Sequence, residues 1–210
     1  MEVGPIMAHH LHRGDLPAGL DLGAAVAVDC ETMGLVTGRD RLCVVQLSAG
    51  DGQAHLVQIP QGAQSAPHLT ALMSDPKVLK IFHFGRFDIA AILQHFGVLT
   101  APVYCTKIAS RLVRTYTDRH GLRDLVREML DIDISKQQQS SDWGAETLSE
   151  AQIAYAASDV LHLHELREAL DARLDREGRS ALAQACFDFL PQRAALDVAG
   201  WPEQDIFAHS

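Results

Sequence analysis

The sequence predicts an α/β domain: a mixed five-stranded sheet flanked by helices. Three observations carry this. Residues 24–31, a run of small and β-branched residues ending in Asp29-Cys30-Glu31, read as a strand buried on both faces. Two more strand-like runs follow, separated at Gly50-Asp51-Gly52, as in an antiparallel meander. Beyond them strand-like and helix-like stretches alternate, the pattern of a β-α-β-α continuation on the same sheet.

Composition sets the bounds. A chain of 210 residues with 47% hydrophobic content suits one globular domain with a real core. Apolar runs are interrupted by charged residues or histidine, so no membrane span and no membrane partner are expected, and the N-terminus lacks the pattern of a secretory signal. Residues 1–13, with His9, His10 and His12, are expected to be a flexible leader, and 14–210 a single catalytic domain. Cys30, Cys43, Cys105 and Cys186 stand far apart in apolar surroundings, which suits reduced thiols in a cytoplasmic protein rather than a zinc site or disulfide frame. The net charge of −9 argues against tight binding of long duplexes, which calls for a basic face. A short substrate held in a pocket with metal ions is compatible with it.

Taken in order, strands are expected at 24–31, 41–48, 54–59, 78–83 and 103–105. Helices are expected at 67–74, 85–96, 106–114 and 122–130. Ile134 to Trp143, polar and rich in Gln and Ser, reads as a loop. Ser149 opens one long helix to about Glu177, and a last helix covers about 180–190. The tail keeps Trp201, Ile206 and Phe207, apolar anchors that need burial in their own domain or in a neighbour.

The chemistry-bearing residues are acids. Side chains alternate along a strand, so Asp29 and Glu31 point to one side, where each raises the other's pKa unless a cation intervenes. Asp88 falls in the first turn of a helix that follows a strand, where α/β sheets place ligands; helix N-termini also favour acids on their own account. Tyr155 and Asp159, four apart on a helix, share one inward face. All-oxygen clusters of this kind suit two divalent ions, Mg²⁺ or Mn²⁺. Phosphodiester hydrolysis with two ions needs them about 3.5–4 Å apart. Asp29 is then the natural bridging ligand, with Glu31 and Asp159 completing one site and Asp88 serving the other. The Tyr155 hydroxyl is placed to orient the attacking water.

The order Asp-x-Glu, then Asp, then Tyr-x-x-x-Asp resembles the DEDD superfamily of 3′→5′ exonucleases, in the Tyr-containing branch with ribonuclease D. Arg41-Leu-Cys-Val-Val-Gln-Leu47 and Lys80-Ile-Phe-His83 add to the likeness. The stretches 80–88, 105–110, 114–121, 134–143 and 205–210 are most similar to the short oligoribonuclease-like enzymes of alphaproteobacteria. The resemblance implies a ribonuclease H-like fold and metal-dependent 3′→5′ hydrolysis of very short single-stranded RNA, above all dinucleotides. It also implies a homo-oligomer, a closed ring of eight. Helical nucleic-acid-binding domains like those of ribonuclease D are not expected here, which weakens any expectation of structured precursor processing.

Further residues are candidates for substrate binding, each with an ordinary structural alternative. Thr32 and Leu35 follow the first motif; Leu35 wedges between two bases, as the resemblance implies, or packs inward as a loop residue. His83 lines the pocket or is a satisfied core histidine. Lys107 and Arg114, within a basic region that includes Arg111, Arg119, Arg123 and Arg127, bind phosphate or form a solvated helix face. Lys136 and Gln138, with Trp143, suit the 5′ end of a short nucleotide or belong to a polar loop. Longer RNA or DNA remains an alternative substrate, and a catalytically dead RNA-binding module a distant one.

Overall fold

The computed structural model describes residues 8–134, 137, 138 and 140–209. Its sheet has six strands rather than five, in the order β1-β4-β3-β2-β5-β6. These are β1 (Ala8–Arg13), β2 (Ala25–Thr32), β3 (Leu42–Ser48), β4 (Gln53–Gln58), β5 (Leu79–Phe82) and β6 (Val103–Cys105). The helices are α1 (Pro67–Ser74), α2 (Gly85–Phe96), α3 (Thr106–Val113), α4 (Leu122–Leu130), α5 (Glu150–Leu161), α6 (Leu163–Arg176) and α7 (Ser180–Val198).

The added strand corrects the expectation of a flexible leader for residues 8–13. β1 runs parallel to β4, with His10 opposite His55 and Leu11 opposite Leu56. Imidazoles obscure the strand pattern in the sequence, but here they supply the contacts. His10 and His12 stack on His55 with ring centroids 4.8 and 5.3 Å apart, and His12 Nε2 meets His55 Nδ1 at 3.0 Å.

β2 is the pivot of the sheet. It pairs antiparallel with β3, Asp29 opposite Gln46, and parallel with β5, Ala27 opposite Ile81. Every residue of β3 is buried, as expected of a strand covered on both faces. The register slips between Glu31 and Thr32, so pairing ends just after the acidic pair and the chain leaves the sheet.

Two helix expectations are corrected. The long helix from Ser149 breaks at His162 (φ −107°, ψ 2°), so α5 packs across β2, β3 and β4 while α6 turns towards α3 and α4. α7 continues through Pro191 to Val198, because Phe187, Leu190, Pro191 and Ala194 keep burying one side, largely against α2. Tertiary packing outweighs the local cost of the missing N–H.

One strand residue has an unexpected role. Lys80 is fully buried, and its ammonium donates to the carbonyls of Asp75 (2.8 Å), Val78 (2.6 Å) and Ala101 (2.6 Å). Burial pulls its pKa down to about 8, and the three acceptors tie β5 to the segments on either side of it. Lys80→Met should therefore leave three carbonyls facing an apolar chain and cost about 3 kcal/mol. Urea denaturation is expected to show a lower midpoint with an unchanged slope.

Candidate active site

The sheet and two helices deliver the predicted acids to one cleft of about 640 Å³. Asp29 and Glu31 project from the same face of β2. Asp159 comes down from α5, and the three carboxylates bring oxygens within 4.8 Å of one another. Among the described residues this is the one cluster of three or more metal-type ligands so close together. Asp88, in the first turn of α2, is buried beside Cys30 and faces Asp29 without joining that cluster.

α5 is placed by its start. Ser149 and Gln152 form a reciprocal capping box, and the Gln152 amide also donates to the carbonyl of Asp142 at 3.0 Å. The helix is thereby tied to Asp142, next to Trp143, which lies buried with its ring 6.0 Å from that of Tyr155. Tyr155 sits one turn before Asp159, so both side chains reach the carboxylate cluster.

Electrostatics dominate the site. Burial pushes Asp29 up to about 7, and burial with repulsion from neighbouring carboxylates pushes Asp159 up to about 8 and Glu31 up to about 10. Asp88 is also raised well above the carboxylate range, first by burial and then by Asp29. Tyr155 is pushed up by burial and by Asp159, so its phenol keeps its proton and can donate a hydrogen bond. Four acids in this state form an all-oxygen donor set that fits hard divalent cations, because bound positive charge removes the repulsion.

The other candidates divide. Thr32, Leu35, His83 and Lys107 line the cleft. The Thr32 hydroxyl donates to the Gly34 carbonyl, and Leu35 stands on the rim with 83% of its surface exposed rather than packing inward. His83 is both a wall of the cleft and a structural residue: Nδ1 meets the Thr106 hydroxyl at 2.9 Å. Burial, aided by Lys107, drives its pKa to about 3, which keeps it neutral.

Arg114 is a correction. Its guanidinium is buried, held by Glu128, the Ser110 hydroxyl and the Arg119 carbonyl, and so is not available to a phosphate. Gln138 closes a local turn with Ser141, whose hydroxyl donates to its side-chain oxygen at 2.6 Å; it does not line the cleft. Lys136 lies outside the described residues. Sequence reasoning missed Phe84, Phe87, Leu122 and Ile134, apolar residues of the cleft wall, and left Met33 unmarked. Their only signal was position beside the motifs, which apolar residues of a core share.

Together the ribonuclease H-like mixed sheet and the four carboxylates define a nuclease-type α/β domain. Residues 16–175 match the family model described as 3′-5′ exonuclease, and the chain belongs to that family. NrnC of Brucella melitensis is similar over nearly its whole length. Its form bound to pGG is 57% identical with a TM-score of 0.95, covering 98% of this chain and 100% of that one. The same protein with bound Mg²⁺ is 56% identical with a TM-score of 0.94, covering 97% and 100%. Ribonuclease D of Acidiphilium cryptum is 43% identical over 81% of this chain and 41% of its own. Escherichia coli RNase D, described as an exoribonuclease involved in structured RNA processing, is 27% identical with a TM-score of 0.72, covering 81% and 45%. The chain thus spans about two fifths of the length of ribonuclease D relatives such as that of Acidiphilium cryptum.

The Arg114–Glu128 pair yields a test of structure rather than chemistry. Hydrogen bonding from Arg114 draws the Glu128 pKa from 4.5 down to about 2. A carboxylate with a depressed folded pKa contributes stability above its unfolded value and loses it as pH falls towards the folded one. Glu128→Ala should lower stability by roughly 2–4 kcal/mol at neutral pH, since it strands a buried guanidinium. The difference from wild type should shrink between pH 4.5 and 2, followed by chemical denaturation across that range.

Proposed function

We propose that the protein is a metal-dependent 3′→5′ exoribonuclease that hydrolyses very short RNA, dinucleotides above all, to 5′-mononucleotides. The observation that carries this is the convergence of Asp29, Glu31 and Asp159 within 4.8 Å at the head of a cleft, with Asp88 and Tyr155 beside them. The family supports the reaction class. The form of NrnC bound to pGG supports the short substrate, and its Mg²⁺-bound form supports the metal. A cleft of about 640 Å³ also falls within the roughly 300–1,000 Å³ typical of small-ligand sites.

Two divalent ions, Mg²⁺ or Mn²⁺, would supply water activation and stabilise charge on the leaving oxygen when bound. Asp29 would share both, Glu31 and Asp159 would hold the first, and Asp88 the second through its separate position. Tyr155 keeps its proton and orients the attacking water by donating or accepting one hydrogen bond. Leu35 and Lys107 sit where they can meet a base and a phosphate.

Asp29→Asn and Asp159→Asn are each expected to abolish hydrolysis in saturating Mg²⁺ while leaving the fold intact. Without metal, both variants should melt at higher temperature than wild type, because one repelling charge is gone. More than a few per cent of wild-type turnover in either would refute the assignment. Tyr155→Phe should lower kcat by on the order of 10²-fold with KM little changed. Turnover on 5′-labelled RNAs from two to about twenty nucleotides, with a matched DNA series and a metal titration, tests the substrate: rates should fall steeply beyond the shortest RNAs.

We also propose that the chain works as a homo-oligomer, a ring of eight in keeping with the resemblance. Trp201, Ile206 and Phe207 are 44%, 46% and 75% exposed, which suits burial in a neighbour. Light scattering should give a mass well above 22.9 kDa. Deleting residues 201–210 should shift the protein to smaller species, and an intact assembly would remove the tail from the interface.

A further inference from the structure

Between β5 and α2 the chain turns through Phe84, a bulky residue in the left-handed conformation (φ 69°, ψ 38°). That region favours glycine, with asparagine the usual substitute, and an aromatic there is a genuine outlier. The next residue shows how tight the turn is: a Cβ on Gly85 would lie 2.7 Å from the Cβ of Phe82. Backbone preference alone would not choose phenylalanine.

Burial does not explain it either. Phe84 is 47% exposed, and its ring stands in the wall of the catalytic cleft beside His83 and Lys107. The Lys107 ammonium lies 4.4 Å from the ring centroid, a cation–π contact that fixes both side chains. An exposed, immobilised aromatic held in a costly backbone conformation at a functional cleft is a platform waiting for a flat partner.

We infer that Phe84 is the surface on which one nucleobase of the substrate stacks, with Lys107 placed beside it for the adjoining phosphate. This rests on the nuclease reading above and adds to it a sequence-tolerant contact, since every base presents a π-face. Phe84 thus serves substrate binding and leaves the chemical step to the acids and Tyr155.

Three variants test this. Phe84→Asn keeps a residue suited to the turn but removes the ring, Phe84→Leu keeps apolar bulk without a π-face, and Phe84→Trp keeps the platform. The readouts are kcat and KM on a ribodinucleotide, the Kd of a dinucleotide with a non-hydrolysable linkage, and the melting temperature. Phe84→Asn and Phe84→Leu should each raise KM and Kd by about tenfold or more, with kcat within about twofold of wild type and Phe84→Trp close to wild type. Phe84→Asn should melt no lower than wild type, because the turn is relieved. On non-hydrolysable dinucleotides lacking the 5′ or the 3′ base, the Phe84→Asn penalty should vanish for one of the two. A Kd within twofold of wild type for Phe84→Asn overturns the inference, as does Phe84→Leu binding like wild type or a penalty that survives on both abasic ligands. Absence of metal-dependent turnover by the wild type on every RNA would instead refute the nuclease reading, which the turnover series reports independently of Phe84.

Discussion

Four carboxylates crowd one end of the sheet, and their repulsion is the constraint on which the rest of the structure depends. Coulomb energy between close charges in a partly dry site amounts to several kcal/mol, so the acids would separate if their supports were soft. They are not soft. Asp29 and Glu31 ride on an inner strand with an antiparallel neighbour on one side and a parallel neighbour on the other, backed by a fully buried β3. Asp159 is carried by a helix pinned at its start by a capping box, and Asp88 by a helix that leaves β5 through a tight turn. Metal binding would then feed back on stability, because cations that bind the folded state alone stabilise it by mass action.

Much of the fold was legible because its elements carry local signals. The meander announced itself through the Gly50-Asp51-Gly52 turn, and the ranges expected for α2 and α4 match their observed ends. Where the reading failed, long-range packing had overridden a local cue. β1 is a strand because β4 offers an edge and His55 offers a stacking partner, neither visible from residues 8–13 alone. The last helix is expected to end near Leu190, yet the contact of α7 with α2 carries it through Pro191 to Val198. The break at His162 has no Gly or Pro to mark it, only the need for two halves to cover different surfaces.

The site divides along the same line. Asp29 and Glu31 were legible as a pair from the two-residue period of a strand, and Tyr155 with Asp159 from the helical period, while the meeting of the two pairs was implied by the family resemblance. Basic residues carry no such period. Arg114 and Lys107 look equivalent in the sequence, but the first is neutralised by Glu128 and the second faces the cleft. Charge tells which residues like phosphate; only the fold tells which have another partner already. Apolar wall residues such as Phe84 are harder still, since an exposed and a buried phenylalanine look alike until the backbone dihedral is known.

The spread of the acids along the chain has a consequence during synthesis. Asp29, Glu31 and Asp88 emerge from the ribosome well before Asp159, and chains fold from the N-terminal side as they emerge. The sheet can assemble while the site still lacks its last carboxylate and the tyrosine one turn ahead of it. A nascent chain therefore lacks the complete carboxylate cluster until α5 docks on β2, β3 and β4. Placing Asp159 on a late helix delays the crowding of the acids until most of the sheet that must hold them has formed.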